Sequence, residues 1–293
     1  MARPAPGAER SVAVLELLAG SPDERFTLSE VARRCDLNKA TAHALLSALS
    51  ARGVLLRHPD EKRYSLGPRL VAIGDAARRG YRAVDFVPAA LTRLGADTGH
   101  WARAWQVVGD DVVCVGQVGA PGVNAASSVR LPLVPPVGTV FMAWTDAPTV
   151  EAWLARAAAV EAVRPALDAL PAVARRGFAV MLASPEWRAL STPPMNGADS
   201  GAGTDRSARR ALMLAVARQP LLVTDLDDQR TYRPADVSAP VFGAGGQVEL
   251  ALSVTLPDGT ERGGPALRAL GEQVVAAADE LTADVRGRRP RRS

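Results

Sequence analysis

The chain has 293 residues, 47% of them hydrophobic, which suggests about two domains with real cores and excludes a wholly disordered protein. Two cysteines, Cys35 and Cys114, and three histidines exclude a disulfide framework and a His/Cys zinc site, and they fit a reducing, cytoplasmic setting. The formal charge of +4 is the sum of unlike parts: residues 1–82 carry +5, residues 83–285 carry −6 and residues 286–293 carry +5. A basic head on an acidic body suggests that the head, not the whole protein, meets a polyanion.

Membrane and export readings fail. The longest uncharged apolar stretch, residues 131–145, is 15 residues long and holds three prolines, where a spanning helix needs about 18 or more. Val12–Ala19 has the length of a signal-peptide core, but Glu16 interrupts it and Glu9 precedes it.

Residues 1–8 are rich in Pro and Gly and read as a disordered arm. Arg10–Ala19 reads as a helix with Val12, Leu15, Leu18 and Ala19 on one side, stopped by residues 20–23. Thr27-Leu28-Ser29-Glu30 is a capping box, and Leu28, Val31, Ala32 and Cys35 follow on one helical face. Residues 36–38 make a three-residue turn, and Asn38 is an N-cap for a further helix with Ala42, Leu45, Leu46 and Leu49 inward. Two short helices joined this way form a helix-turn-helix. Leu55–Arg57 and Arg63–Leu66 read as a hairpin around residues 58–62, the wing of a winged helix. Gly67-Pro68 then starts a linker helix carrying Leu70, Ile73 and Ala77 and ending near Gly80.

Beyond residue 83 the pattern turns mixed α and β. Helices are expected at Val87–Leu94, Gly138–Trp144, Thr149–Ala159, Val163–Arg176, Ser207–Arg218 and Pro265–Val285. Strands are expected at Trp101–Val108, Val112–Val118, Phe178–Leu182 and Leu221–Thr224, with a hairpin of Val237–Phe242 and Val248–Leu256. Residues 192–206 are low in complexity and read as disordered, and the Arg-rich tail 286–293 as too short and polar to fold.

The run from Ser11 to Gly74, through helix, turn, helix, wing and linker helix, resembles the DNA-binding domain of IclR-type bacterial transcriptional regulators. RRGFAV (175–180), SAPVFGAGGQVELALSV (238–254) and LPLVPPVGTVFMAW (131–144) look like segments of that family's C-terminal domain. The resemblance implies an α+β protein: a winged helix-turn-helix over residues 9–67, a linker helix over 68–82, and a GAF-like α/β effector-binding domain over 83–285. It also implies dimers or tetramers on palindromic double-stranded operators, and a small-molecule effector. The chain departs from the pattern at Met181, where the family has Asp, at Asp236, where Cys is common, and in about 40 residues near 190–230 that appear extra.

In a helix-turn-helix, the second helix enters the major groove by its N-terminal end. There Lys39, His43 and Ser47 project off the apolar stripe, and Thr41 lies on the DNA side by the family match. The Thr41 hydroxyl either meets DNA or bonds locally. Arg57, Lys62 and Arg63 flank the wing, where they either pair with phosphates or belong to an ordinary solvated hairpin. In the second half, Trp105 faces the same way as Trp101, either into the core or onto a pocket. Gly138 and Thr139 open a helix whose free N–H groups suit a carboxylate, or they are a plain helix start. Asp236 either accepts from a ligand donor, and then disfavours anions, or is a solvated loop acid.

No metal or cofactor is expected. An enzyme in the acidic half is the competing reading, but G-x-S-x-G, P-loop, H-E-x-x-H and post-strand G-x-G-x-x-G patterns are missing and His100 is the only histidine there. A winged helix used only for protein contacts is the other.

Overall fold

The computed structural model describes residues 5–21, 23–80, 82–119, 129–157, 160–191, 211–256 and 259–290. The described chain forms two compact units that divide after Tyr81. The expected arm before residue 5, the whole low-complexity run 192–206 and the end of the tail lie outside the described residues.

The first unit begins with α1 (Pro6–Ala19), so residues 6–8 are helical where an arm is expected. Pro6 sits in the first turn, where its missing N–H costs nothing. Its buried stripe is Val14 and Leu18, while Val12 and Ala19 face solvent, a shift of the expected face. Phe26–Thr27 forms β1, a short strand the sequence reading lacks, and α2 (Leu28–Arg34) follows at once. The capping box is complete: the Thr27 N–H donates to Glu30 Oε2 at 2.7 Å, and the Glu30 N–H donates to Thr27 Oγ1 at 3.3 Å. These bonds to the backbone and hydroxyl of Thr27 hold the Glu30 carboxyl below its usual range, with Arg63 and Arg34 adding to the effect. Thr27→Ala removes the cap and is expected to cost about 1 kcal/mol; urea denaturation of residues 1–81 measures it, and a loss below a few tenths would show the cap to be redundant.

Asn38 caps α3 (Lys39–Ala51), its Oδ1 accepting from the Thr41 N–H at 2.8 Å. Strands β2 (Leu55–His58) and β3 (Arg63–Leu66) pair antiparallel, and β1 joins the other side of β3. The core is Val14, Leu18, Phe26, Val31, Leu46, Leu55 and Tyr64. Gly53 adopts a left-handed φ of +69° and Gly67 runs against its carbonyl, so a Cβ at 67 would collide with Gly53 backbone. That close approach sets the start of α4 (Arg69–Gly80), the expected linker helix. Its Ile73 is exposed rather than inward, and Leu70 is half-buried.

The second unit opens with α5 (Arg82–Thr98), twice the expected length, and is built on a six-stranded antiparallel sheet. Its strands are β4 (Trp101–Val108), β5 (Asp111–Val118), β6 (Arg130–Pro132), β7 (Ala179–Leu182), β9 (Pro234–Phe242) and β10 (Val248–Thr255), in the order β6-β5-β4-β10-β9-β7. The small pair β8 (Thr231–Tyr232) and β11 (Arg262–Gly263) stands apart. Leu221–Thr224 makes only a bridge, Leu222 to Met181, because Arg176 takes the neighbouring Val223 and Thr224 carbonyls.

Both faces of the sheet are covered. On one, Ala102, Val237, Ala239, Leu252 and Val254 pack under α5 and α11 (Gly264–Asp284). On the other, Trp105, Cys114, Ala179, Met181 and Ala251 pack under α6 (Thr139–Met142), α7 (Ala147–Leu154), α8 (Val160–Arg176), α9 (Pro185–Ser191) and α10, helical over 211–217. Burial on both faces explains the near-continuous apolar runs of β9 and β10. Helix α9 has no counterpart in the sequence reading, and α6 and α7 are shorter than expected. The described part of the apparent extra segment is integrated, with Met213, Val216 and Leu221 in this core.

The expected unfolded tail is corrected over residues 286–290. The Gly287 N–H donates to the Thr282 carbonyl at 2.7 Å and the Arg288 N–H to the Gly243 carbonyl at 3.1 Å. Arg289 lies 3.8 Å from Asp279 and over the Phe242 ring. Glycine at 287 permits the approach, since a Cβ would strike the Phe242 carbonyl.

Candidate functional site

Helix α3 buries Ala42 and Leu46 and turns Lys39, His43 and Ser47 to solvent. These three are spaced i, i+4 and i+8, so they form one stripe. Thr41 is half-buried and stands about 160° around the helix from His43, on the other flank. In the wing, Arg57 and Lys62 are exposed. Arg63 is engaged: its Nη1 donates to the Arg25 carbonyl at 2.7 Å and reaches Glu30 at 3.5 Å, tying β3 to the start of α2. Arg34 caps the Phe26 ring at 4.8 Å. Burial pushes the Cys35 thiol up to about 11, in keeping with a core position.

The second unit holds a cavity between the sheet and α6. Trp105, Gly138, Thr139 and Asp236 all line it, although they come from β4, the loop before α6, α6 itself and β9. Antiparallel register explains the meeting. Asp236 opposes Thr255, and Trp105 opposes Ala251 in the shared strand β10, so their side chains emerge on one sheet face. About 60 Å3 of the cavity admits water-sized spheres. That is less than half of the ~150 Å3 cavity that takes benzene.

The loop that forms the cavity wall is held from behind. Trp153 Nε1–H donates to the Val137 carbonyl at 2.9 Å, and Thr139 Oγ1–H donates to the Pro136 carbonyl at 2.7 Å. The Thr139 hydroxyl oxygen therefore presents as an acceptor. Gly138 has a left-handed φ of +94°, and a Cβ there would run into Leu133. The Thr139 N–H is turned to the Pro136 carbonyl at 3.4 Å. Helix α6 has four residues, too few for the aligned peptide dipoles that an anion site needs.

Sequence reasoning missed three neighbours. Arg103 lies between Trp101 and Trp105 on the same face, its guanidinium 5.7 and 5.8 Å from their rings, and its Nε donates to Gln117 Oε1 at 2.9 Å. The period-2 rule on Trp-x-Arg-x-Trp was the available signal. Burial lowers the Arg103 pKa, and Cys114 and Asp236 oppose that shift. Ser238 and Trp187 also line the cavity, and for Trp187 the sequence offered no signal. Burial pushes the Asp236 carboxyl up to about 6, against hydrogen bonding from Ser253, the charge of Arg103 and a 3.3 Å bond from Thr255 Oγ1–H. Among the described residues, no cluster of three His, Cys, Asp or Glu side chains could hold a metal, and no helix is long and apolar enough to cross a membrane.

Three helices, a capped turn and a three-stranded wing make the first unit a winged helix-turn-helix, followed by an α/β domain with a cavity between its sheet and α6. Residues 7–59 match the sequence model described as the IclR helix-turn-helix domain. Over 76 residues the chain is 42% identical to the glycerol operon regulatory protein of Streptomyces griseus, covering 26% of this chain and 30% of that one. Over 109 residues it is 32% identical to the HTH-type transcriptional regulator BhcR of Paracoccus denitrificans (strain Pd 1222), covering 37% and 38%. The matched stretch spans about a third of these curated relatives.

Whole-chain similarity is in the fold. The crystal structure of an IclR transcriptional regulator from Alicyclobacillus acidocaldarius matches with a TM-score of 0.64 at 22% identity, covering 97% of this chain and 100% of the other. An IclR homolog from Microbacterium hydrocarbonoxydans, complexed with 4-hydroxybenzoate, matches with a TM-score of 0.61 at 17% identity, covering 96% and 99%.

Proposed function

We propose that the protein is a DNA-binding transcriptional regulator whose second domain senses a small molecule. The observation that carries it is the exposed stripe Lys39, His43, Ser47 on the capped second helix of an IclR-type helix-turn-helix, beside a wing bearing Arg57 and Lys62. In this reading His43 and Ser47 meet base edges, Lys39, Arg57 and Lys62 meet phosphates, and Thr41 touches the flank of the groove. Arg63 holds the wing to α2 and contributes to DNA only through that position. The protein works in the cytoplasm as a homodimer or tetramer on a palindromic operator, and the reading contains no catalytic step.

The cavity supports the sensing half. It lies inside the domain that shares its fold with a regulator solved with 4-hydroxybenzoate, and it gathers Trp105, Thr139 and Asp236. Ligand binding and operator binding are then coupled reciprocally.

A gel-shift series on the protein's own promoter region tests the reading. Affinity is expected to fall steeply with salt, as phosphate contacts require. Lys39→Ala is expected to weaken promoter and random DNA alike and to lower the salt slope by about one. His43→Ala is expected to cost about 1–3 kcal/mol on the promoter and less on random DNA. Flat salt dependence without promoter preference would favour a protein-contact module instead.

A further inference from the structure

In the second domain a carboxylate, Asp236, and an indole, Trp187, line the same small cavity. Among the described residues Asp236 is the charged side chain on the lining, while most of its other neighbours there, such as Val112, Leu131 and Phe141, are apolar. Trp187 also lines it, is 7% exposed, and its buried Nε1 has no partner among the described residues. A buried polar group without a partner is destabilising, and a bound acceptor atom removes that cost.

The charges limit the ligand. Asp236 already has its counter-charge in Arg103, a buried guanidinium on the same sheet face that opposes Ser253 across the β4–β10 register. A ligand carboxylate would set a second anion beside Asp236 in an apolar site. A ligand ammonium would put two cations on one carboxylate. Thr139 also asks for a donor, because its hydroxyl proton is held by the Pro136 carbonyl and its oxygen presents as an acceptor. The volume limits the ligand to a handful of heavy atoms, since about 60 Å3 admits water-sized spheres.

Resting on the sensing reading above, we propose that this cavity binds a small, uncharged, hydroxyl-bearing molecule, with a ligand hydroxyl donating to Asp236 and a ligand oxygen accepting from Trp187 Nε1–H. The apolar lining takes the carbon skeleton. The site therefore discriminates against carboxylates of the same size.

Three compounds of near-equal size test this on the full chain: propane-1,2-diol, with five heavy atoms, 1-aminopropan-2-ol, also with five, and lactate, with six. The readout is the Trp187 indole 1H–15N cross-peak, assigned by its loss in Trp187→Phe. The diol is expected to shift that peak saturably, with affinity roughly tenfold above lactate and above the amino alcohol, a difference of about 1.4 kcal/mol. Asp236→Asn is expected to narrow the diol-to-lactate ratio by about the same factor. Lactate binding as well as the diol, an unchanged ratio in Asp236→Asn, or no saturable shift with any of the three would each overturn the proposal. A gel shift on promoter DNA with the same preparation separates the two ideas. Intact operator binding with silent ligands removes only the cavity proposal, whereas lost operator binding removes the regulator reading.

Discussion

Trp153→Ala is expected to destabilise the C-terminal domain by about 3–5 kcal/mol, a large share of a domain's total stability. Trp153 is 1% exposed and heads the fully buried side chains by volume. It stands on α7, which Asp146 caps by accepting from the Thr149 N–H at 3.2 Å. Truncation leaves a void and also strips the Val137 carbonyl of its donor. That carbonyl belongs to the loop before Gly138 and Thr139, so the cavity wall loosens with the core. All five tryptophans lie between residues 101 and 187, so tryptophan fluorescence in urea reports on this domain. Trp153→Phe retains much of the volume and loses the indole donor, and about 1–2 kcal/mol is expected. A midpoint for Trp153→Ala within error of the wild type would mean that the loop does not lean on this side chain.

The parts of this structure legible in the sequence are those decided within a few residues. The Thr27–Glu30 box and the Asn38 cap depend on spacings of three, and both form. The β9–β10 hairpin was readable because Gly243 to Gly246 supply a turn, with Gly246 at φ +83°. Trp105, Gly138, Thr139 and Asp236 meet at one cavity, although each also has a plain structural reading in the sequence. What stayed hidden depends on pairing over long separations. Arg63 looks like a free wing cation until Phe26–Thr27 pairs beside β3 and offers it the Arg25 carbonyl. The tail looks unstructured until the 242–243 turn presents carbonyls to it. Trp187 lies on a helix of seven residues with no periodic signal, and its importance is its missing partner.

Asp236→Asn is expected to raise stability near pH 7.5 and to lose that advantage as the pH falls toward 4. The carboxyl titrates at about 6 in the fold against an ordinary value of 3.8. The folded state therefore holds a proton across that window which the unfolded chain has released. Stability is greatest below 4, falls as the pH rises through 6, and above 6 the fold carries the full cost of the ionised group. About two units at ~1.4 kcal/mol each bound that cost near 3 kcal/mol. The attraction of Arg103 is already contained in the value of 6, because that guanidinium favours the ionised form. Asparagine fits the bonds from Ser253 and Thr255 less well, which removes about 1 kcal/mol. A net gain of about 1–2 kcal/mol at pH 7.5 is expected, with the difference vanishing or reversing near pH 4 in thermal melts across that range. A difference independent of pH would show that Asp236 is ionised without penalty. A fold that keeps a costly carboxylate at neutral pH, on the same cavity lining as Trp187, gives up stability in the empty state; in the proposed sensing role a bound hydroxyl donor would restore it, and that differential is what a ligand needs to shift a conformational equilibrium.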